Sequence, residues 1–399
     1  MELSTRDDKL QRIIEIERQL GEIQDVDVLL ERILTETRRI VNADAGSIYV
    51  AEGDKLKIKY GQNDTHLREL APGEKLPYTC FTFPINQEQI CGYVALNGKP
   101  LNIQDCYEIP ESAPYKFNKN TDITTDYRTK SMYTLPLKMA NGKLLGVLQI
   151  INAQDEKGNV ISFNEEAELL IAHFASSAVQ ALQHAYLTSN MVKRMLKMAE
   201  FRDPKETYPH VERVSSFALE IYDRWAFNHN IPQNEMHKYR DTLKIAAKFH
   251  DVGKVGISDI ILKKAFPRFT EEERNIMKGH TCIGAQLFDP PESFLDQMSQ
   301  DIALHHHDRW DGGESGYPGN IDLSQFSIKD GLPKTTPLSG TDIPLAARIC
   351  AVADVYDALS HKRCYKEAWT IEDAFSEILN NSGTQFDPEV VLAFMQVKD

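Results

Sequence analysis

Lys248-Phe249-His250-Asp251-Val252-Gly253-Lys254 is the stretch on which the organisation of the chain turns. A histidine beside an aspartate, with a lysine about one helical turn beyond, sets a nitrogen ligand, an oxygen ligand and a cation in one small volume. That is the equipment of a metal site that handles an anion. By itself a His-Asp pair means little, because it arises by chance and more often marks a solvated or capped helix end. Its company changes that. Downstream lie His280, the run His305-His306-His307 and Asp354, and upstream lie Glu206 and His210. Nine of the twelve histidines follow residue 200, and six of them belong to this series.

The sequence around these residues reads as helices: Pro209 and His210 open one that runs to about Trp225, and Met236–Phe249, Glu271–Phe288, Pro344–Ser360, Thr370–Asn380 and Pro388–Gln396 follow. Facing helices of an all-α bundle can build a polynuclear metal centre from inward side chains. The ligand inventory is Glu206, His210, His250, Asp251, His280, His306, His307 and Asp354, with no thiolate. Five histidines and three carboxylates exceed the needs of one ion, so two or three divalent ions bridged by a carboxylate are expected. Mixed nitrogen and oxygen ligation suits iron or manganese and leaves zinc open. Three successive helical residues point about 100° apart, so two of the three clustered histidines should reach the metals, and His306 and His307 are chosen. His229, His237 and His361 lack partners in sequence and are left out.

The first half of the chain has a different rhythm. Leu10–Ile23 and Val26–Val41 keep helical periodicity, whereas Ser47–Val50 and Leu56–Tyr60 read as strands flanking the turn Glu52-Gly53-Asp54. Tyr133–Leu137 and Leu144–Ile151 form a hairpin through Asn141-Gly142. Helix, antiparallel strands and a closing helix make an α+β domain over residues 1–165. A long helix follows over residues 166–199, and Ile171, Ala175, Ala178, Leu182, Ala185, Ser189, Val192, Leu196 and Ala199 advance in alternating steps of four and three. That spacing suits a coiled-coil seam joining two copies of the chain, or a single helix packed on its own domain. The helical domain occupies residues 200–399.

Composition sets limits. A net charge of −14 argues against binding long nucleic acid, which rests on clustered Lys and Arg. The six cysteines show no CxxC spacing and fit free thiols in a reducing cytosol. No apolar run approaches the roughly 18 residues that span a bilayer, so no membrane contact is expected and a cytoplasmic location is.

Two resemblances carry these expectations further. The N-terminal order, with Ile90-Cys91-Gly92-Tyr93-Val94-Ala95 and Gly98-Lys99-Pro100-Leu101-Asn102-Ile103, resembles a GAF sensory domain. The cyclic-nucleotide signature of some GAF domains is broken here: Asn152 is followed by Ala153, and Phe163 is followed four and five residues later by Ala167 and Glu168. The GAF ligand is therefore left unknown, with dimerisation alone as the other role.

His250-Asp251-Val252-Gly253-Lys254, His306-His307-Asp308-Arg309-Trp310-Asp311-Gly312, Gly316-Tyr317-Pro318 and Ala353-Asp354-Val355-Tyr356-Asp357-Ala358-Leu359 resemble the ordered motifs of the HD-GYP family, metal-dependent phosphodiesterases of cyclic di-GMP. The resemblance implies a multidomain chain in which a GAF domain regulates, through the connecting helix, an enzyme that makes pGpG and, with three metals, GMP. It implies His250, Asp251, His280, His306, His307 and Asp354 as metal ligands with Asp251 as the bridge. His210 matches the family's first histidine, and Glu206 the extra carboxylate of three-metal members. Lys254 would stand near the scissile phosphate as an electrostatic stabiliser or proton donor. Arg363 and Lys366 would hold the substrate's phosphates, and the Gly316-Tyr317-Pro318 loop its guanine side or a protein partner. Two departures stand out: Gly313-Glu314-Ser315 lengthens that loop, and Asn320–Asp342 is an insertion that reads as a lid or a surface loop. The alternatives are another cyclic dinucleotide, such as cyclic GMP-AMP, as substrate, or an inactive metal-binding scaffold acting through the Gly-Tyr-Pro loop.

Overall fold

The structure is a computed structural model that describes residues 11, 13–21, 23, 25–67, 81–203, 207–264, 269–313, 317, 319–327, 336–361 and 368–397. The chain forms two compact units, Met1–Ser189 and Asn190–Asp399.

In the first unit, α1 (residues 13–21) and α2 (Val26–Ile40) precede β1 (Ala43–Glu52) and β2 (Lys55–Asn63). Asp25 starts α2 by accepting hydrogen bonds from the Asp27 and Val28 amides, which would otherwise be unpaired at the helix end. Next come α3 (Asp64–Leu67), β3 (Thr82–Pro84), α4 (Ile90–Asn97), β4 (Leu101–Ile103) and α5 (Lys119–Thr125). The unit is completed by β5 (Met132–Lys138), β6 (Leu144–Gln154), β7 (Val160–Ile161) and the first half of α6 (Glu165–Arg202). The sheet is antiparallel with strand order β3-β2-β1-β6-β5-β4, and β7 pairs with β6. The expected hairpin joins β5 to β6, with Gly142 at φ +82° where a side chain would be strained.

Strand alternation sorts the core. Ile48, Val50, Leu148 and Ile150 pack on one face against Leu29, Leu30 and Ile33 of α2 and Phe174 of α6, whereas Tyr49, Ile58 and Val147 face Cys91 and Val94 of α4. On that second side lies a cavity of about 210 Å³ lined by Tyr49, Phe83, Phe117, Asp122, Met132 and Gln149, among others. Asn152 has no part in it: its side chain ties the Arg128 carbonyl and Tyr127 hydroxyl to β6.

The seam positions of α6 are filled from within. Ile171, Ala175, Ala178, Leu182 and Ala185 are buried in the core of the first unit, and Val192 and Leu196 in a cluster of the second with Val211, Ile245, Phe249 and Val252. These seven seam positions therefore pack within the chain. Leu187, Met191 and Met198 of the same helix are exposed.

In the second unit α6 ends and α7 (Tyr208–Asn228) and α8 (Gln233–Ala246) lead to two 3-10 segments, Ala247–Phe249 and Val252–Gly256. There follow α9 (Asp259–Leu262), α10 (Glu271–Lys278), α11 (His280–Gln286), α12 (Phe294–His305), α13 (Leu345–Ser360), α14 (Ile371–Asn380) and α15 (Pro388–Val397). Val214, Ala218 and Ile221 of α7 pack with Ile349, Val352 and Ala353 of α13 and Val390 and Phe394 of α15. Two sequence expectations need correction. The helix expected over Met236–Phe249 tightens into 3-10 geometry at Ala247, and the one expected over Glu271–Phe288 breaks at Gly279, a weak helix former. Both irregularities lie immediately before a site histidine, His250 and His280.

Candidate metal centre

The second unit brings its site residues in from separate elements. His210 stands in the first turn of α7, and His250 and Asp251 lie at the joint between the two 3-10 segments. His280 opens α11, His306 caps the C-terminus of α12 with His307 after it, and Asp354 lies within α13. They fall into two groups, Asp251 with His280, His306 and His307, and His210 with His250 and Asp354, each with one ligand atom per residue and all these atoms within 4.8 Å of one another. Asp251 stands between them. Its Oδ1 is 3.0 Å from His280 Nε2 and 3.8 Å from His306 Nε2, while its Oδ2 is 3.4 Å from His250 Nε2. Asp354 Oδ1 lies 3.5 Å from His210 Nε2 and 3.9 Å from His250 Nε2.

The imidazoles are held by their other nitrogen. Nδ1 of His250, His280 and His306 is directed at the backbone carbonyls of Ala247, Met277 and Ile302, at 3.0, 2.7 and 2.9 Å. A carbonyl only accepts, so in the neutral rings the proton sits on Nδ1 and the Nε2 lone pair faces the site. Burial, reinforced by neighbouring imidazoles, takes the His306 pKa down to about 3 and holds His307 well below its usual value, so both rings are neutral at pH 7. Burial opposes ionisation of Asp251, but the Lys254 ammonium outweighs it and keeps the carboxyl well below the usual carboxylate range. Among the described residues His306 Nε2 and Asp251 Oδ1 are buried yet make no hydrogen bond of acceptable geometry. Leaving such atoms unpaired is expensive unless an ion completes them. The neutral His306 and His307 rings, the ionised Asp251 carboxylate and lone pairs aimed inward fit divalent metal ions.

Lys254 donates from Nζ to Asp251 Oδ2. Gly253 between them is a close-packing requirement: a Cβ there would lie 1.9 Å from the His280 carbonyl oxygen and 2.3 Å from the Gly284 amide nitrogen. The Tyr317 ring stacks on His307, centroids 4.4 Å apart, and Lys278 Nζ stands 5.7 Å from its centre. Burial pushes the Tyr317 hydroxyl up to about 12. His305 is turned away from both groups, with Nδ1 2.8 Å from Asp308 Oδ2. Glu206, Gly316, Pro318, Arg363 and Lys366, together with Glu314 and Ser315 of the lengthened loop, lie outside the described residues. The described start of the insertion is packed down: Leu323 and Phe326 join Cys282, Ala285 and Leu304, and Gln286 Nε2 donates to both their carbonyls.

Sequence reasoning passed over Asp357 and Arg213. Asp357 is 1% exposed and accepts from His210 Nδ1 at 2.6 Å and from Arg213 Nε and Nη2 at 2.5 and 3.0 Å. Burial works against its ionisation, but the His210 and Arg213 hydrogen bonds win and bring the pKa to about 2. The available signal was spacing: Asp357 follows Asp354 by three on α13, as Arg213 follows His210 by three on α7.

Residues 25–182 match the GAF domain family and residues 207–359 the HD domain family, with a second HD domain match over residues 330–390. Curated relatives include a cyclic di-GMP phosphodiesterase of Thermotoga maritima, 36% identical over 201 residues that cover 50% of this chain and 47% of the relative. Another cyclic di-GMP phosphodiesterase, from Vibrio cholerae, is 34% identical over 264 residues, 64% of this chain and 48% of the relative. A 3'3'-cGAMP-specific phosphodiesterase of Vibrio cholerae is 34% identical over 204 residues, 51% of this chain and 34% of the relative. The chain thus spans about half, or less, of the length of these relatives. Among the described residues no helix is long and apolar enough to cross a membrane. Two compact units, the second built around inward-facing imidazoles and carboxylates, make this chain a GAF domain followed by an HD domain.

Proposed function

We propose that the second unit is a metal-dependent phosphodiesterase of cyclic di-GMP, of the HD-GYP kind, and that the GAF domain regulates it. The observation that carries this is Asp251, with one carboxylate oxygen toward His280 and His306 and the other toward His250. The names of the relatives from Thermotoga maritima and Vibrio cholerae support the substrate class. Two iron or manganese ions would be held by His210, His250 and Asp354 and by Asp251, His280, His306 and His307; a third rests on Glu206. Bound there, divalent ions supply activation of water and polarisation of the phosphoryl oxygens.

The chain's own groups do the rest. Carboxylate charge and neutral imidazole lone pairs are fixed in place before substrate arrives, which is electrostatic preorganisation. Lys254 beside Asp251 offsets negative charge that develops on the phosphoryl oxygens. In this reading Arg363 and Lys366 would hold the substrate's phosphates, and Gly316, Tyr317 and Pro318 would serve its guanine side. A mixed cyclic GMP-AMP ring is the second substrate reading, favoured by the named specificity of the third relative.

The test is turnover of cyclic di-GMP and of 3'3'-cyclic GMP-AMP by the full chain purified without oxygen, with metal counted on the same sample and pGpG resolved from GMP. Faster cleavage of cyclic di-GMP is expected, with GMP released only if about three ions are bound. Faster cleavage of cyclic GMP-AMP would reassign the substrate. No cleavage of either ring by fully loaded protein would remove the phosphodiesterase reading in favour of a scaffold.

A further inference from the structure

Three of the five site histidines just described orient themselves on backbone carbonyls, which no side-chain substitution can remove. His210 differs: its Nδ1 is 2.6 Å from Asp357 Oδ2, so its orientation depends on another side chain. That carboxylate is itself immobilised. Arg213 grips it with both arms of a fork, Nε to Oδ1 at 2.5 Å and Nη2 to Oδ2 at 3.0 Å, and His361 Nδ1 lies 3.1 Å from Oδ1. His210, Arg213, Asp354 and Asp357 form a closed square across two helices. Along α7, His210 and Arg213 are three apart; along α13, Asp354 and Asp357 are three apart. Across the gap His210 meets both carboxylates, with Nε2 3.5 Å from Asp354 Oδ1. A planar guanidinium fork fixes the plane of the carboxylate it holds. A carboxylate that accepts from Nδ1 in turn fixes the plane of an imidazole and strengthens its other nitrogen as a donor to metal.

We propose that Asp357, held by Arg213, is the positioning residue for His210 and selectively sets the affinity of the His210/His250/Asp354 subsite for a divalent metal ion. The proposal rests on the reading of this unit as a metal centre and adds an asymmetry to it. The Asp251/His280/His306/His307 subsite has no such side-chain prop in the described residues that orient His280 and His306, so it should be indifferent to Asp357.

The experiment uses the full chain stripped of metal and titrated with Mn(II), with free Mn(II) read by electron paramagnetic resonance. Wild-type protein is expected to show at least two sites. In Asp357→Asn one site should weaken by about 10–100-fold, the range seen when the outer partner of a ligand histidine is lost, while another keeps its wild-type affinity. Equal weakening of every site, or no change in any, would overturn the proposal. Should Asp357→Asn not fold, Arg213→Gln removes the fork from a partly exposed position and is expected to weaken the same single site; unchanged Mn(II) binding in that variant would be equally decisive against the proposal. Wild-type protein that binds no Mn(II) would instead overturn the metal-centre reading, and this one with it.

Discussion

His306 makes a test at the scale of one residue. Its imidazole is moved from 6.5 to about 3 chiefly by burial. In the unfolded chain the same group takes up a proton near 6.5, so between these values the unfolded state binds more protons than the folded one. Stability of the metal-free protein must then fall as pH drops from about 6.5 toward 3, by up to about 1.4 kcal/mol per pH unit from this group. Urea midpoints at pH 7, 6 and 5 are expected to decrease in that order, and His306→Gln should flatten the trend; a wild-type midpoint independent of pH would contradict it. At this scale the sequence was legible where chemistry alone decides. Angular spacing said only that two of the three clustered histidines could face one site; His305 Nδ1 is directed at Asp308, while His306 and His307 join Asp251 and His280 in one group. Asp357 was not legible, because nothing in a linear string says which of two aspartates one turn apart faces a metal and which faces a ligand's far side.

Gly253 sets the test at the scale of elements. The 3-10 segment Val252–Gly256 lies so close to α11 that any Cβ at position 253 would strike backbone atoms of His280 and Gly284. Neither can swing aside as a side chain could. Gly253→Ala is expected to destabilise the second unit by about 1–3 kcal/mol, the usual range for overpacking, and to weaken Mn(II) binding because Asp251 and His280 are forced apart. Denaturant midpoints and Mn(II) titration would check both; a variant indistinguishable from wild type would show that the segment relaxes freely. Element boundaries were the least legible part of the fold. The hairpin at Asn141-Gly142 follows from local turn chemistry and is found, as are β1 and β2 around Gly53. Helical propensity favours running through Ala247 but not through Gly279, and each irregularity immediately precedes a site histidine.

For the whole molecule, the two units carry separate cores, and all three tryptophans, Trp225, Trp310 and Trp369, fall in the second. Tryptophan fluorescence therefore reports on that unit alone, whereas far-ultraviolet circular dichroism reports on both. Mn(II) at about 100 times its Kd should stabilise the fluorescence-detected transition by about 2.7 kcal/mol and leave a separate dichroism component unmoved. A single transition shifted equally in both signals would mean the units unfold together. The division of the chain into a mixed first half and a helical second half was visible in the change from period two to period 3.6. Its exact place was not, since α6 runs through Ser189 and Asn190 without a break in helical pattern.

The carbonyl anchors of His250, His280 and His306 have a further consequence. Free neutral imidazole in water carries its proton mostly on Nε2, the nitrogen that here faces the site. The fold reverses that preference ring by ring, before any ion arrives. An incoming ion consequently has no ring to flip and, at neutral rings such as that of His306, no hydrogen to expel from the nitrogen it binds. Binding through such rings therefore needs no change of tautomer.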